Sequence, residues 1–143
     1  MARLLLVEDH VAFREALALL LDLEPDLEVV AQCGDPAECR ASARPRDVDV
    51  ALLALPDGGG AEVVGEMRAA APGAKVLALT AGSGGRPRAT AGARGADGLL
   101  DKTASLAEIS AGVRRLARAG GPEGVATAAG PMMLSSRNGV GGA

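Results

Sequence analysis

Aromatic side chains are nearly missing from this 143-residue chain, which has one Phe (Phe13), no Tyr and no Trp. That excludes nucleic-acid recognition by base stacking on aromatic platforms and aromatic cages for cationic ligands. Histidine is as scarce: with His10 alone, multi-histidine metal sites are excluded and a Cys/His zinc site is not expected. Two cysteines, Cys33 and Cys39, are too few for a disulfide framework. The expectation is therefore a cytoplasmic protein with reduced thiols, both of them inert small apolar residues rather than redox sensors. No apolar run approaches the roughly 18–20 residues that span a bilayer. The apolar run from Met1 to Val7 meets acids at Glu8 and Asp9, unlike a signal peptide, so no membrane partner is expected. Lysine is limited to Lys75 and Lys102 against 13 Arg, which reads as a coding bias.

What fills the chain is alanine and glycine, 30 and 20 residues. A core must be built from Leu, Val and Ala. With 48% apolar and 23% charged residues, the chain reads as one soluble domain large enough for a real core. The net charge of −3 is unevenly spread: residues 1–83 carry 7 basic and 14 acidic side chains, residues 84–120 carry 7 basic and 3 acidic. The late basic residues, including Arg114, Arg115 and Arg118, form either a solvated helix face or a docking surface. They do not argue for DNA by themselves.

Short apolar runs alternate with amphipathic segments. Strand candidates are Arg3–Val7, Leu27–Gln32, Val48–Leu55, Lys75–Thr80 and Asp97–Asp101, the continuous apolar runs expected of buried parallel strands. Helix candidates are Val11–Leu23 (Phe13, Ala16, Leu17, Leu20 and Leu21 on one face), Asp35–Ala43, Ala61–Ala71, Arg86–Arg94 and Ser105–Ala119. Asp35 caps the second, with Pro36 at its first position. Ser105 and Glu108 form a capping box for the last. Five strands alternating with five helices predict an α/β domain with a doubly wound parallel sheet. From Gly120 the pattern stops, so the expected division is a domain over 1–120 and a flexible linker or tail over 121–143.

Ligands of such a sheet bind at the carboxyl ends of the strands. The residues there are Glu8 and Asp9 after the first strand, Ala54–Asp57 after the third, Thr80 after the fourth and Lys102 after the fifth. Adjacent carboxylates suit Mg²⁺, though Asp9 equally suits a helix N-cap. A hydroxyl and an ammonium converging on the same crevice suit a phosphoryl group.

Over residues 2–119 the sequence resembles the receiver domain of two-component response regulators. Leu4–His10 followed by Phe13-Arg14, the segment Gly95–Lys102 with Ser105 and Glu108, and the 22-residue step from Thr80 to Lys102 carry the resemblance. The N-terminal segment looks like the subfamily with a LuxR-type helix-turn-helix output. The resemblance implies a flavodoxin-like sheet of order 2-1-3-4-5, and an acidic pair that binds Mg²⁺ together with a strand-3 Asp. That Asp accepts a phosphoryl group from a histidine kinase, the Thr and Lys contact it, and an aromatic switch residue on strand 5 swings inward.

The sequence departs from this pattern where the chemistry lies. Aligned from the strand, Ala54 stands at the phosphoacceptor position; aligned back from Pro56, Leu52 does. Neither can be phosphorylated. Asp57 is the only nearby substitute and follows the Pro, while Asp47 and Asp49 begin the strand, at the wrong end of the sheet. The switch position holds Leu99. The pocket Glu8, Asp9, Ala54, Thr80, Lys102 is thus degenerate: no cofactor is required, and Mg²⁺ binds weakly, if at all, at Glu8 and Asp9. Lys102 is left with Glu8 or Asp9 as its partner, and a Lys102–Asp9 contact is expected to mimic a fixed state.

The resulting expectation is an atypical, phosphorylation-independent receiver of a transcriptional regulator, not an enzyme. It acts as a homodimer through Arg114 and Arg118 or through other protein contacts, and reaches DNA only through a C-terminal domain absent from this chain. A histidine kinase partner is not expected. The alternatives are a small-ligand-sensing or partner-binding module and, more weakly, a phosphoacceptor using Asp57. His10 reads as part of the local signature and not as a base. Gly82–Gly85 lacks the Lys-Ser/Thr of a phosphate loop.

Overall fold

The computed structural model describes residues 1–42, 47–56, 60–81, 93–119 and 132–133. Within these, β1 (Ala2–Val7), α1 (Val11–Asp22), β2 (Leu27–Cys33), α2 (Pro36–Ser42), β3 (Val50–Ala54), α3 (Ala61–Ala70), β4 (Lys75–Thr80), β5 (Gly98–Asp101), α4 (Leu106–Arg118) and β6 (Met132–Met133) follow in chain order. All strands are parallel, in the order β2-β1-β3-β4-β5-β6. The predicted 2-1-3-4-5 sheet is present, with one strand more. Met132 and Met133 pair with Gly98 and Leu99 along the outer edge of β5, within the segment expected as a flexible linker or tail, where docking of these methionines on the domain was the alternative. The rest of 121–143 lies outside the described residues, as do the helix expected over 86–94 and the Gly82–Gly85 loop.

Strand periodicity divides the apolar residues between two faces. Leu4, Leu6, Leu52, Leu77, Leu79 and Leu100 pack with Leu17, Leu21, Ile109, Val113 and Leu116 from α1 and α4. Leu5, Val7, Leu53, Val76, Ala78 and Leu99 pack with Val64 and Met67 of α3 and with Cys39 of α2. Aliphatic and small residues thus fill both layers, with the lone aromatic, Phe13, packed partly buried against the first. On α1 the buried face is Leu17, Ala18 and Leu21. Ala16 and Leu20, expected inward, point outward with Leu19 and Leu23. The helix is rotated so that its i, i+4 pair Leu17–Leu21 meets the sheet.

Local signals set the element ends. The capping box of α4 is made in both directions: the Ser105 hydroxyl accepts from Glu108 N–H at 3.1 Å and Glu108 Oε1 from Ser105 N–H at 2.8 Å. Asp35 Oδ1 accepts the Glu38 N–H at 2.8 Å at the start of α2. The cap of α1 is His10, whose Nδ1 accepts the Phe13 N–H at 3.2 Å. Asp9, the alternative cap in the sequence, sits one residue too early. Gly95 enters β5 at φ 89°, a left-handed backbone that favours glycine.

Two polar clusters hold the amino ends of the strands. Asp97, buried, accepts the Val76 N–H at 2.7 Å and pairs with Arg68 at 2.9 Å. Asp49 Oδ2 accepts the Arg3 N–H at 2.8 Å, and the Asp47 carbonyl takes Arg3 Nε at 2.8 Å. Asp47 and Asp49 therefore stand at the end away from the crevice, as the strand order required.

Candidate functional site

β1 delivers Glu8 to the carboxyl end of the sheet, where the strand run ends and the Glu8 N–H bonds the Cys33 carbonyl at 3.0 Å. β3, central between β1 and β4, delivers Ala54. β5 ends in a tight turn that presents Lys102. Asp101 Oδ1 accepts both the Thr103 hydroxyl at 2.7 Å and its N–H at 2.8 Å. Those two bonds, hydroxyl first, hold the Asp101 carboxyl below its ordinary pKa. The Lys102 N–H bonds the Thr80 carbonyl at 2.7 Å, which ties the end of β4 to the same turn.

These ends enclose a cavity of about 510 Å³, lined among others by Glu8, Asp9, Arg14, Glu38, Ala54 and Lys102. Of the two candidate positions, Ala54 lines it and Leu52 does not, being buried in the core between the sheet, α1 and α4. Asp57 lies outside the described residues.

Lys102 is held inside its own chain. Its Nζ lies 2.6 Å from Glu8 Oε1 and 4.9 Å from the centroid of the Phe13 ring. The partner is Glu8 and not the expected Asp9. Glu8 is only 5% exposed whereas Asp9 faces solvent, because the strand pleat turns Glu8 inward and the next residue outward. The second oxygen of Glu8, Oε2, accepts the His10 N–H at 2.7 Å, so one carboxylate anchors both the Lys102 side chain and the α1 cap. The Phe13 contact was not anticipated. Its signal was the position of the lone aromatic in the first turn of α1, directly after the carboxyl end of β1.

Mg²⁺ does not fit this donor set. Position 54 offers a methyl group, Glu8 is neutralised by Lys102, and among the described residues no group of three His, Cys, Asp or Glu side chains could hold a metal ion. Leu99, expected at the switch position, is 1% exposed and packed among the aliphatic residues on the α3 face.

Cys33 and Cys39 correct the expectation of free thiols: they form a disulfide between the end of β2 and α2, with Cα atoms 5.5 Å apart. Arg114 is engaged within the chain, 2.7 Å from both Glu24 Oε1 and Asp26 Oδ2. The bonds to Asp26 and Glu24 raise the Arg114 pKa, and the Arg114 hydrogen bond lowers that of Asp26. Of the two arginines assigned to a dimer face, only Arg118 presents an exposed side chain.

The family model of the response regulator receiver domain matches residues 4–114. This chain belongs to that family. The receiver is 34% identical over 117 residues to the DNA-binding transcriptional activator DevR/DosR of Mycobacterium tuberculosis, covering 80% of this chain and 54% of that protein. It is 33% identical to the transcriptional regulatory protein UhpA of Salmonella typhimurium, covering 80% and 58%. The receiver thus spans about half the length of these curated relatives. Among solved structures, the signal receiver domain of the response regulator NarL from M. tuberculosis superposes with a TM-score of 0.68 at 29% identity, covering 82% of this chain and 96% of that one. A LuxR-family response regulator from Aurantimonas superposes at 0.67 and 26% identity, covering 92% and 89%. No helix among the described residues is long and apolar enough to cross a membrane.

Proposed function

We propose that this receiver signals without phosphoryl transfer at the end of β3, as part of a cytoplasmic transcriptional response regulator and not as an enzyme. The observation that carries the proposal is Ala54 lining the crevice where the family's acceptor carboxylate would stand. Without that group the crevice has no nucleophile at that position, and the ammonium that would contact a phosphoryl group is already bound to Glu8. Signalling then passes through protein contacts or homodimer formation, and DNA is reached through a helix-turn-helix domain; the relative DevR/DosR is a DNA-binding transcriptional activator.

Incubation with a small phosphodonor and Mg²⁺, followed by intact mass, tests this. No mass change is expected. A stable, Mg²⁺-dependent gain of one phosphoryl group would overturn it, and peptide mapping would show whether Asp57 is the acceptor. Light scattering at low and high salt reports whether a charge-held dimer forms. The cavity, about 510 Å³, lies within the size range of small-molecule pockets and favours a second reading as a ligand-sensing module. A saturable rise in Tm with a metabolite library would support that reading over the first.

A further inference from the structure

The only two cysteines of the chain meet at one point of the fold, and that point borders the crevice. Cys33 is the last residue of β2 and Cys39 lies within α2; their bond closes a small loop, Cys33 to Cys39. That loop is a crevice wall, since Gly34, Asp35, Pro36 and Glu38 all line the cavity. The Cys33 carbonyl also accepts the Glu8 N–H at 3.0 Å. The disulfide is therefore tied through one backbone bond to the residue that holds Lys102.

We propose that Cys33–Cys39 is a thiol–disulfide redox site that sets how firmly the α2 wall is held against the sheet, and hence the shape of the crevice. The inference rests on the proposed function for the compartment alone. In a cytoplasmic protein a disulfide is usually transient or redox-sensing, not a permanent brace. The fold accommodates both states. Both sulfurs lie in the apolar cluster shared with Val7, Leu53 and Met67, and free cysteine behaves there as a small hydrophobe. Oxidised, the bond fastens a helix of seven residues, Pro36–Ser42, to the strand beside it. Reduced, α2 keeps its Asp35 cap and its packing but loses the covalent tie, and a helix this short is marginal by itself.

The chemistry balances with an external dithiol as reductant. Its thiolate attacks one sulfur of the Cys33–Cys39 bond and forms a mixed disulfide, and the other cysteine leaves as a thiolate that takes up a proton. The second thiol of the reductant then attacks the mixed disulfide, closes its own disulfide and releases the remaining cysteine. Two electrons and two protons reach the protein, and the dithiol is oxidised. Both cysteines are at most 2% exposed, so attack waits on an opening of α2 and is slower than attack on an exposed disulfide.

The test uses the full chain, equilibrated across a series of reduced and oxidised dithiothreitol ratios, then alkylated and weighed intact. The oxidised protein is expected to take no alkyl group and the reduced protein two. Hydrogen exchange on both forms is expected to show faster exchange over residues 34–42 on reduction, by about tenfold or more, a less protected Glu8 amide, and no change in β4 or α4. Cys39→Ala and Cys33→Ala should each show the exchange pattern of the reduced form and take one alkyl group at every ratio; a variant that fails to fold leaves the wild-type comparison intact. Two alkyl groups on the oxidised protein, a bond that opens only in denaturant, or equal exchange over 34–42 in both states would each overturn the proposal. None of these readouts depends on phosphorylation, so failure here is distinct from failure of the phosphodonor experiment.

Discussion

Replacing Lys102 with Met asks how firmly the crevice holds its ammonium. At 2.6 Å from Glu8 Oε1, Coulomb's law with an effective dielectric of about 20 gives a gross attraction of about 6 kcal/mol. Desolvation offsets most of it, because the Glu8 and Lys102 side chains are 5% and 29% exposed. A net coupling of about 1.5–3 kcal/mol remains, above the roughly 0.2–1 kcal/mol of a solvent-exposed pair. Lys102→Met leaves a buried carboxylate without its charge partner and is expected to cost about 3 kcal/mol. Glu8→Gln leaves a half-buried ammonium that can still reach water and Phe13, and should cost about 1–2 kcal/mol. The double variant should be more stable than the sum of the singles implies, by the coupling energy. Urea unfolding at pH 7 followed by circular dichroism measures all four proteins. A coupling below about 0.5 kcal/mol would mean that Lys102 is free in solution and open to an incoming anion, and would refute the picture of an occupied crevice.

Ala54→Asp restores a third carboxylate to the crevice and is expected to confer Mg²⁺ binding and phosphodonor labelling that the parent lacks; calorimetry and intact mass check both. Asp97→Ala strips the buried Val76 N–H of its acceptor and Arg68 of its partner, for an expected loss of about 3 kcal/mol in urea unfolding, with Asp97→Asn recovering part of it. Ser105→Ala removes the α4 cap and should cost about 1 kcal/mol by the same measurement. The carboxyls of Asp26 and Asp101 are lowered in the folded protein. Their stabilisation is fully present above the unfolded carboxyl pKa of about 3.9 and is lost as pH falls through the lower folded values. The urea midpoint should therefore drop below about pH 4, and less steeply in Arg114→Met, which removes the first cause of the Asp26 shift.

Most strands were readable because they are apolar runs between charged or glycine-rich boundaries, as in Leu4–Val7 and Val76–Leu79, whereas their order came only with the resemblance to receiver domains. The caps at Asp35 and Ser105 were readable because capping is local chemistry within four residues. The side-chain pairings were less legible. Glu8 and Asp9 are chemically alike in sequence, and only the strand pleat decides which of them turns inward to Lys102. The cysteines looked inert because their spacing carries no information until a strand end and a helix are folded against each other. Phe13 over Lys102 joins residues far apart in the chain, and β6 depends on an edge of β5 that only the assembled sheet creates. On α1 the run of leucines fits more than one inward face, so Leu20 and Leu17 could be told apart only by packing.

The ring of Phe13 above Lys102 has a spectroscopic consequence. With no Tyr or Trp elsewhere, and with His10 capping the same helix turn, every ring-current shift in the proton spectrum of this protein originates beside the crevice. The methylene protons next to Lys102 Nζ should resonate upfield while the ammonium stays under the ring. Whatever pulls the lysine away, be it an anion, a partner chain or a change in α2, would be reported by those signals alone, without a label.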